Sequence, residues 1–196
     1  MNNLPIFKYQ PNAYDIGIFK KVPAQKCSIC NKETEYIYMG PFYSIDEVDN
    51  VCPWCIYEGT ATKQHNGVLQ AAVEYKDKLL SVTYDDEFNQ YMYFMGYDEV
   101  EQFKDDNLEE LLFRTPGYIS WQEPQWLSHC DEFCAFIGYV NKSEISATKI
   151  DLRDEELFAI KENYGIDTLD QVSEDLGIYL FQCLKCGQHR VHIDHT

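Results

Sequence analysis

The chain has 196 residues, with 16 Lys and Arg against 33 Asp and Glu, for a formal net charge of −17. Nucleic-acid affinity rests mostly on counterion release by Lys and Arg, so this balance weighs against DNA and RNA as partners. Hydrophobic residues make up 45% and aromatics 15%, which supports a packed core rather than a disordered chain.

Residues 1–26 read as extended, because Pro5, Pro11 and Pro23 interrupt any helix. The knuckle Cys27-Ser28-Ile29-Cys30 comes next, and the aromatic, β-branched run Glu35–Met39 reads as a strand broken by Gly40-Pro41. Ser44 and Glu47 have capping-box spacing for a short turn. Cys52-Pro53-Trp54-Cys55 runs into a helical segment through Ala61, with Pro53 suited to the first helical position. Val68, Ala71, Ala72, Tyr75 and Leu79 are spaced as one helix face, predicting a helix over 67–80. The acidic, aromatic stretch Tyr84–Asp106 has no readable period, and Leu108–Phe113 is a helical turn stopped by Thr115-Pro116-Gly117.

A second capping box, Ser120 to Glu123 with Pro124 in the first turn, predicts a helix carrying Trp126, His129, Cys130, Phe133 and Cys134 and ending near Gly138. Trp121 and Trp126 are expected in the core. Leu152–Tyr164 reads as a helix with Gly165 as its stop, and Asp167 or Thr168 would cap another short helix to Leu176. The chain closes with strand Ile178–Phe181, knuckle Cys183-Leu184-Lys185-Cys186-Gly187 and return strand Arg190–Asp194, which is the shape of a zinc-ribbon hairpin. No low-complexity linker divides the chain. The expectation is one domain, 1–196, with possible halves 1–113 and 114–196 that hold one zinc site each.

The eight cysteines form four close pairs: Cys27/Cys30, Cys52/Cys55, Cys130/Cys134 and Cys183/Cys186. Four thiolates complete a tetrahedral site, so two Cys₄ zinc sites per chain are expected. Joining the first two pairs closes a loop of 21 intervening residues and joining the last two closes one of 48. Closure cost grows only as about (3/2)RT ln n, so it favours this sequential pairing and leaves the others open. His129 is expected beside the second site, because neighbouring helical residues diverge by about 100° and would not share an ion. His189, His192 and His195 are assigned no metal.

Two enzymatic alternatives stand beside a structural role. Cys52-Pro53-Trp54-Cys55 resembles the C-P-x-C site of thiol–disulfide oxidoreductases, with Cys52 as nucleophile and Cys55 as resolving thiol. A zinc-dependent hydrolase would need an open coordination position. The fold class expected is α+β, with zinc-ribbon-like hairpins and short helices around two Cys₄ zinc sites. The function expected is a non-enzymatic interaction or adaptor protein with an unknown protein partner. The opening MNNLPIFKYQ has no basic-then-apolar leader pattern and no segment reaches the roughly 20 apolar residues of a membrane span, so a cytoplasmic location is expected.

A set of segments carries a family resemblance: Cys27-x₂-Cys30, Tyr36-Ile37-Tyr38-x-Gly40-Pro41-Phe42-Tyr43, Cys52-Pro53-Trp54-Cys55-Ile56, Thr115-Pro116-Gly117-Tyr118, Trp121-Gln122, Trp126-Leu127-Ser128-His129-Cys130, Cys134-Ala135-Phe136-Ile137-Gly138-Tyr139 and Phe181-x-Cys183-x₂-Cys186-Gly187. Through these the chain resembles the CbrC family of largely uncharacterised bacterial proteins, nearly end to end. The resemblance implies tolerance to a colicin as a biological role, with no established catalytic activity and no assigned active site. The chain departs from the family pattern by a longer acidic segment around Tyr84–Asp106.

Overall fold

The computed structural model describes residues 3–95, 105–140, 150–173 and 175–195. Strands β1 (Phe19–Lys26) and β2 (Glu33–Tyr38) form an antiparallel pair joined by the first cysteine knuckle. The register shifts between Lys21 and Gln25, the interval that holds Pro23, whose missing N–H cannot join the ladder. Two five-residue helices follow, α1 (Pro53–Tyr57) and α2 (Thr60–Gln64), with Pro53 at the start of α1 as its fixed φ favours. The Ser44–Glu47 segment forms no helix; the Ser44 hydroxyl donates to the Asp46 carbonyl instead.

The predicted helix over 67–80 is a hairpin. Strands β3 (Ala72–Tyr75) and β4 (Lys78–Asp85) pair antiparallel around Lys76 and Asp77, whose φ values are 49° and 60°. Two successive left-handed residues make the tight turn whose twist matches flanking strands. The apolar positions fit a helical face, but Val73, Tyr75, Leu80 and Val82 are equally β-formers, and the turn decides between the two. β5 (Gln90–Met95) extends this sheet on one side, and the short β6 (Gln125–Trp126) runs parallel to β3 on the other. The remainder of the acidic stretch, 96–104, lies outside the described residues.

Helix α3 (Asp106–Arg114) is capped by the Asp105 carboxylate, which accepts from the backbone N–H of Asn107 and Leu108. It ends at Thr115, the stop expected from Thr115-Pro116-Gly117. The last sheet is antiparallel, in the order β7 (Cys134–Tyr139), β8 (Leu176–Cys183) and β9 (His189–His195). Helix α4 (Asp154–Tyr164) stops at Gly165, where φ is 69°, and a 3-10 turn spans Leu169–Gln171 after Thr168. The molecule is therefore a mixed α+β protein of small sheets and few helices.

Strand β8 joins two cores. Its alternate residues Tyr179 and Phe181 enter a large cluster that also holds Phe7, Phe19, Ile56, Leu111, Tyr118, Trp126 and Phe136. Ile178 and Leu180 face a smaller cluster with Ile160, Val172, Val191 and Ile193. A period of two along a strand produces this split directly. The larger core draws on residues from Phe7 to Cys183, on both sides of residue 113. Trp126 is 1% exposed within it, whereas Trp121 is 72% exposed and does not join the core.

Candidate metal centres

Of the three C-x-x-C pairs, the knuckles at Cys27 and Cys183 have the same backbone wiring. At the first, the Cys27 N–H donates to the Lys32 carbonyl at 2.9 Å and the Asn31 N–H to the Cys27 carbonyl at 3.0 Å. At the second, the Cys183 N–H donates to the Gln188 carbonyl at 2.8 Å and the Gly187 N–H to the Cys183 carbonyl at 2.9 Å. The residue after the second cysteine is left-handed each time: Asn31 has φ 58° and Gly187 has φ 77°. Glycine and asparagine are the residues that reach this region at least cost. Each turn folds its two thiols toward one point.

At the first group the other two thiols come from Cys52, just ahead of α1, and Cys55 in its first turn. The Tyr38 N–H to Val51 carbonyl bond (2.9 Å) and the Ser28 N–H to Asn50 carbonyl bond (3.3 Å) hold this segment against the β1–β2 hairpin. The ligand atoms of Cys27, Cys30, Cys52 and Cys55 lie within 4.8 Å of one another. The sulfur atoms of Cys27 and Cys55 are 3.8 Å apart, and those of Cys30 and Cys52 are 3.9 Å apart. A disulfide needs about 2.05 Å, while a tetrahedron with metal–sulfur bonds of about 2.3 Å has edges of about 3.8 Å. The donor set fits a tetrahedral soft-ligand ion.

Burial opposes ionisation of Cys27, yet backbone hydrogen bonds at Cys30, Cys52 and Ile29 outweigh it and bring the thiol down to about 7. One of these, from the Cys52 N–H to the Cys27 sulfur, measures 3.3 Å. Cys52 moves the other way: burial pushes it up to about 11, and it is only 2% exposed. A redox nucleophile requires a depressed pKa and access to solvent. Cys52 is buried, and it sits against Cys27 and Cys30 rather than standing in a two-thiol site.

The second group departs from the expected membership. Its ligand atoms belong to His129, Cys130, Cys183 and Cys186, again within 4.8 Å of one another. Cys130 and Cys186 have sulfurs 3.8 Å apart, and His129 Nδ1 lies 3.2 Å from the first and 3.3 Å from the second. A sulfur–nitrogen edge of a zinc tetrahedron is about 3.5 Å, so the spacing suits an ion here as well. Cys134 lies outside this group. It begins β7, faces Cys183 across the sheet, is fully buried, and accepts the Trp126 indole N–H at its carbonyl. Burial raises its thiol to about 12, as expected of a thiol in the core.

The cause is local backbone. The predicted 120–138 helix is replaced by β6, a tight turn and β7. Ser128 and Phe133 form an isolated antiparallel bridge, the His129 N–H donates to the Glu132 carbonyl at 2.8 Å, and Cys130 and Asp131 have φ 57° and 52°. On a helix His129 and Cys130 would diverge; at this turn both reach one point. The expectation that kept His129 out of the site depended on the helix, and it falls with it.

Residues that the motif analysis passed over hold this turn in place. Glu74 on β3 accepts the Ser128 N–H at 2.9 Å, the Gln125 side chain at 3.3 Å and the Arg190 guanidinium. Arg190 on β9 also donates to the Ser128 carbonyl at 2.7 Å and pairs with Glu156 of α4 at 3.1 Å. Lys185, inside the knuckle, donates to the Cys130 carbonyl at 2.8 Å. A cleft of about 850 Å³ opens beside the turn, lined in part by Glu74, Tyr75, His129, Cys130, Phe133 and Arg190. No short-range motif signals Glu74 or Arg190, because their partners are distant in sequence.

Comparison with known proteins places these residues in a wider group. The model of an uncharacterised protein family, UPF0167, matches residues 4–195. UPF0167 protein Mb2317 of Mycobacterium bovis is 32% identical over 97% of this chain and 93% of its own length. UPF0167 protein PA1536 of Pseudomonas aeruginosa is 29% identical over 98% of each chain. No solved structure matches. With the match running almost end to end, the chain belongs to the UPF0167 family.

Proposed function

We propose that this protein is a non-enzymatic, zinc-stabilised interaction or adaptor protein of the cytoplasm, acting as one domain with two structural zinc sites. Cys27, Cys30, Cys52 and Cys55 hold one ion; His129, Cys130, Cys183 and Cys186 hold the other. The observation that carries this reading is the sulfur spacing of 3.8–3.9 Å at both groups. That is the edge of a thiolate tetrahedron and nearly twice a disulfide length. Four protein donors complete each site, so neither leaves the open position that a catalytic zinc keeps for water. The net charge of −17 weighs against nucleic acid as the partner. Resemblance to the CbrC family supplies colicin tolerance as the biological setting.

Elemental analysis with thiol counting tests the reading. The expected result is two zinc ions per chain, with seven thiols protected by metal and Cys134 protected by burial alone. Chelation should release both ions and expose the ligand thiols. A single zinc, or a reversible Cys52–Cys55 disulfide in the purified protein, would overturn it.

A further inference from the structure

The two groups have similar spacing and differ in access. At the first, Cys27, Cys52 and Cys55 are buried and Cys30 is half-buried. At the second, Cys130 and Cys186 are exposed at adjacent corners of the tetrahedron, and only Cys183 is buried. Cys130 stands at the tip of a two-residue turn and Cys186 at the end of the knuckle, whose Leu184 is also exposed. The neighbouring cleft opens onto His129 and Cys130, giving small solutes a path to the thiolates.

We infer that the Cys130–Cys186 pair is an oxidant-responsive modification site whose disulfide expels the second metal ion. This rests on the proposed metal occupancy of that group. One thiolate attacks an oxygen of hydrogen peroxide; the O–O bond breaks, hydroxide leaves and the sulfur becomes a sulfenic acid. The second thiolate attacks that sulfur, forming the S–S bond and displacing a second hydroxide. Two thiolates lose two electrons in all, and one hydrogen peroxide becomes two hydroxides. The sulfurs must close from 3.8 Å to about 2.05 Å, a movement that the exposed turn can absorb. His129 and Cys183 alone cannot retain a tetrahedral ion, so the metal departs. Distance alone would not select this pair, since Cys27 and Cys55 are equally close; solvent access selects it.

The test begins with metal content of the purified full chain, which must be two equivalents before oxidation; one equivalent would mean that the occupancy reading has failed. Hydrogen peroxide is then added at low molar excess, with a chromophoric chelator reporting release and peptide mass mapping reporting thiol state. One equivalent should be released, with a Cys130–Cys186 disulfide, four unmodified thiols in the first group, and recovery on adding a dithiol and zinc. Lys185→Ala frees the Cys130 turn from the knuckle without removing a ligand, and should speed release several-fold. If a two-metal protein loses both ions together, loses the first group's ion sooner, or forms a different disulfide, the inference is overturned. The same holds if it resists peroxide.

Discussion

Tyr38 shows what a single buried hydroxyl does for this molecule. Its O–H donates to the Pro41 carbonyl at 2.8 Å and accepts the Gly117 N–H at 2.9 Å, tying the end of β2 to a segment 79 residues away. Burial holds its pKa well above that of a free tyrosine, so the donor stays protonated at any physiological pH. Gly117 has no room for a side chain, because a Cβ there would run into the Leu69 carbonyl. Tyr38→Phe strands the Gly117 N–H in the core and should cost about 1–3 kcal/mol, read from urea unfolding of the metal-loaded protein. The second metal group gives a sharper comparison. His129→Ala should lower the metal content from two ions to one, whereas Cys134→Ala should leave both ions and cost about 1 kcal/mol. The reverse result would make Cys134 the ligand, as cysteine pairing alone suggested. Local spacing names the cysteines well, yet it cannot separate an exposed thiol at a turn tip from a core thiol four residues later.

Among elements, the hairpins were the legible part where punctuation was strong. Gly187 after Cys186, flanked by two apolar runs, identifies the β8–β9 ribbon, and Gly165 marks the end of α4. Helix expectations fail at 167–176, where only a 3-10 turn forms and Leu176 already begins β8. They fail also at 67–80 and 120–138, where apolar spacing suits a helix and left-handed non-glycine residues make turns: Lys76-Asp77 and Cys130-Asp131. Such residues are uncommon, so the pattern carries little warning of them. Sheet contacts also settle how the His129–Cys130 turn is held. Glu74→Gln keeps the shape of the side chain and removes the charge that pairs with Arg190. It should weaken metal binding at the second group about ten-fold, in line with other outer-layer partners of metal ligands. Competition with a calibrated chelator would measure this, with the first group's affinity unchanged as the control.

At the scale of the whole molecule, metal binding and folding should be one process. Structural zinc contributes roughly 10 kcal/mol or more in small zinc modules, comparable to the entire net stability of a typical domain. The first group joins β1, β2 and α1, and its cysteines Cys27, Cys52 and Cys55 are members of the main core. Removing both ions should therefore abolish cooperative thermal unfolding, followed by near-ultraviolet circular dichroism of the many buried tyrosines, and restoring zinc should recover it. Residues 1–196 by themselves determined the acidic charge, the thiol count, the C-x-x-C knuckles and the ribbon hairpin, because each depends on neighbours within a few positions. Tertiary structure alone decided that His129 stands where Cys134 was expected, that Trp121 faces solvent, and that Glu74 and Arg190 brace the turn. Those outcomes depend on which distant strands pair, and on backbone turns whose cost is met only once β3, β6 and β9 are in place.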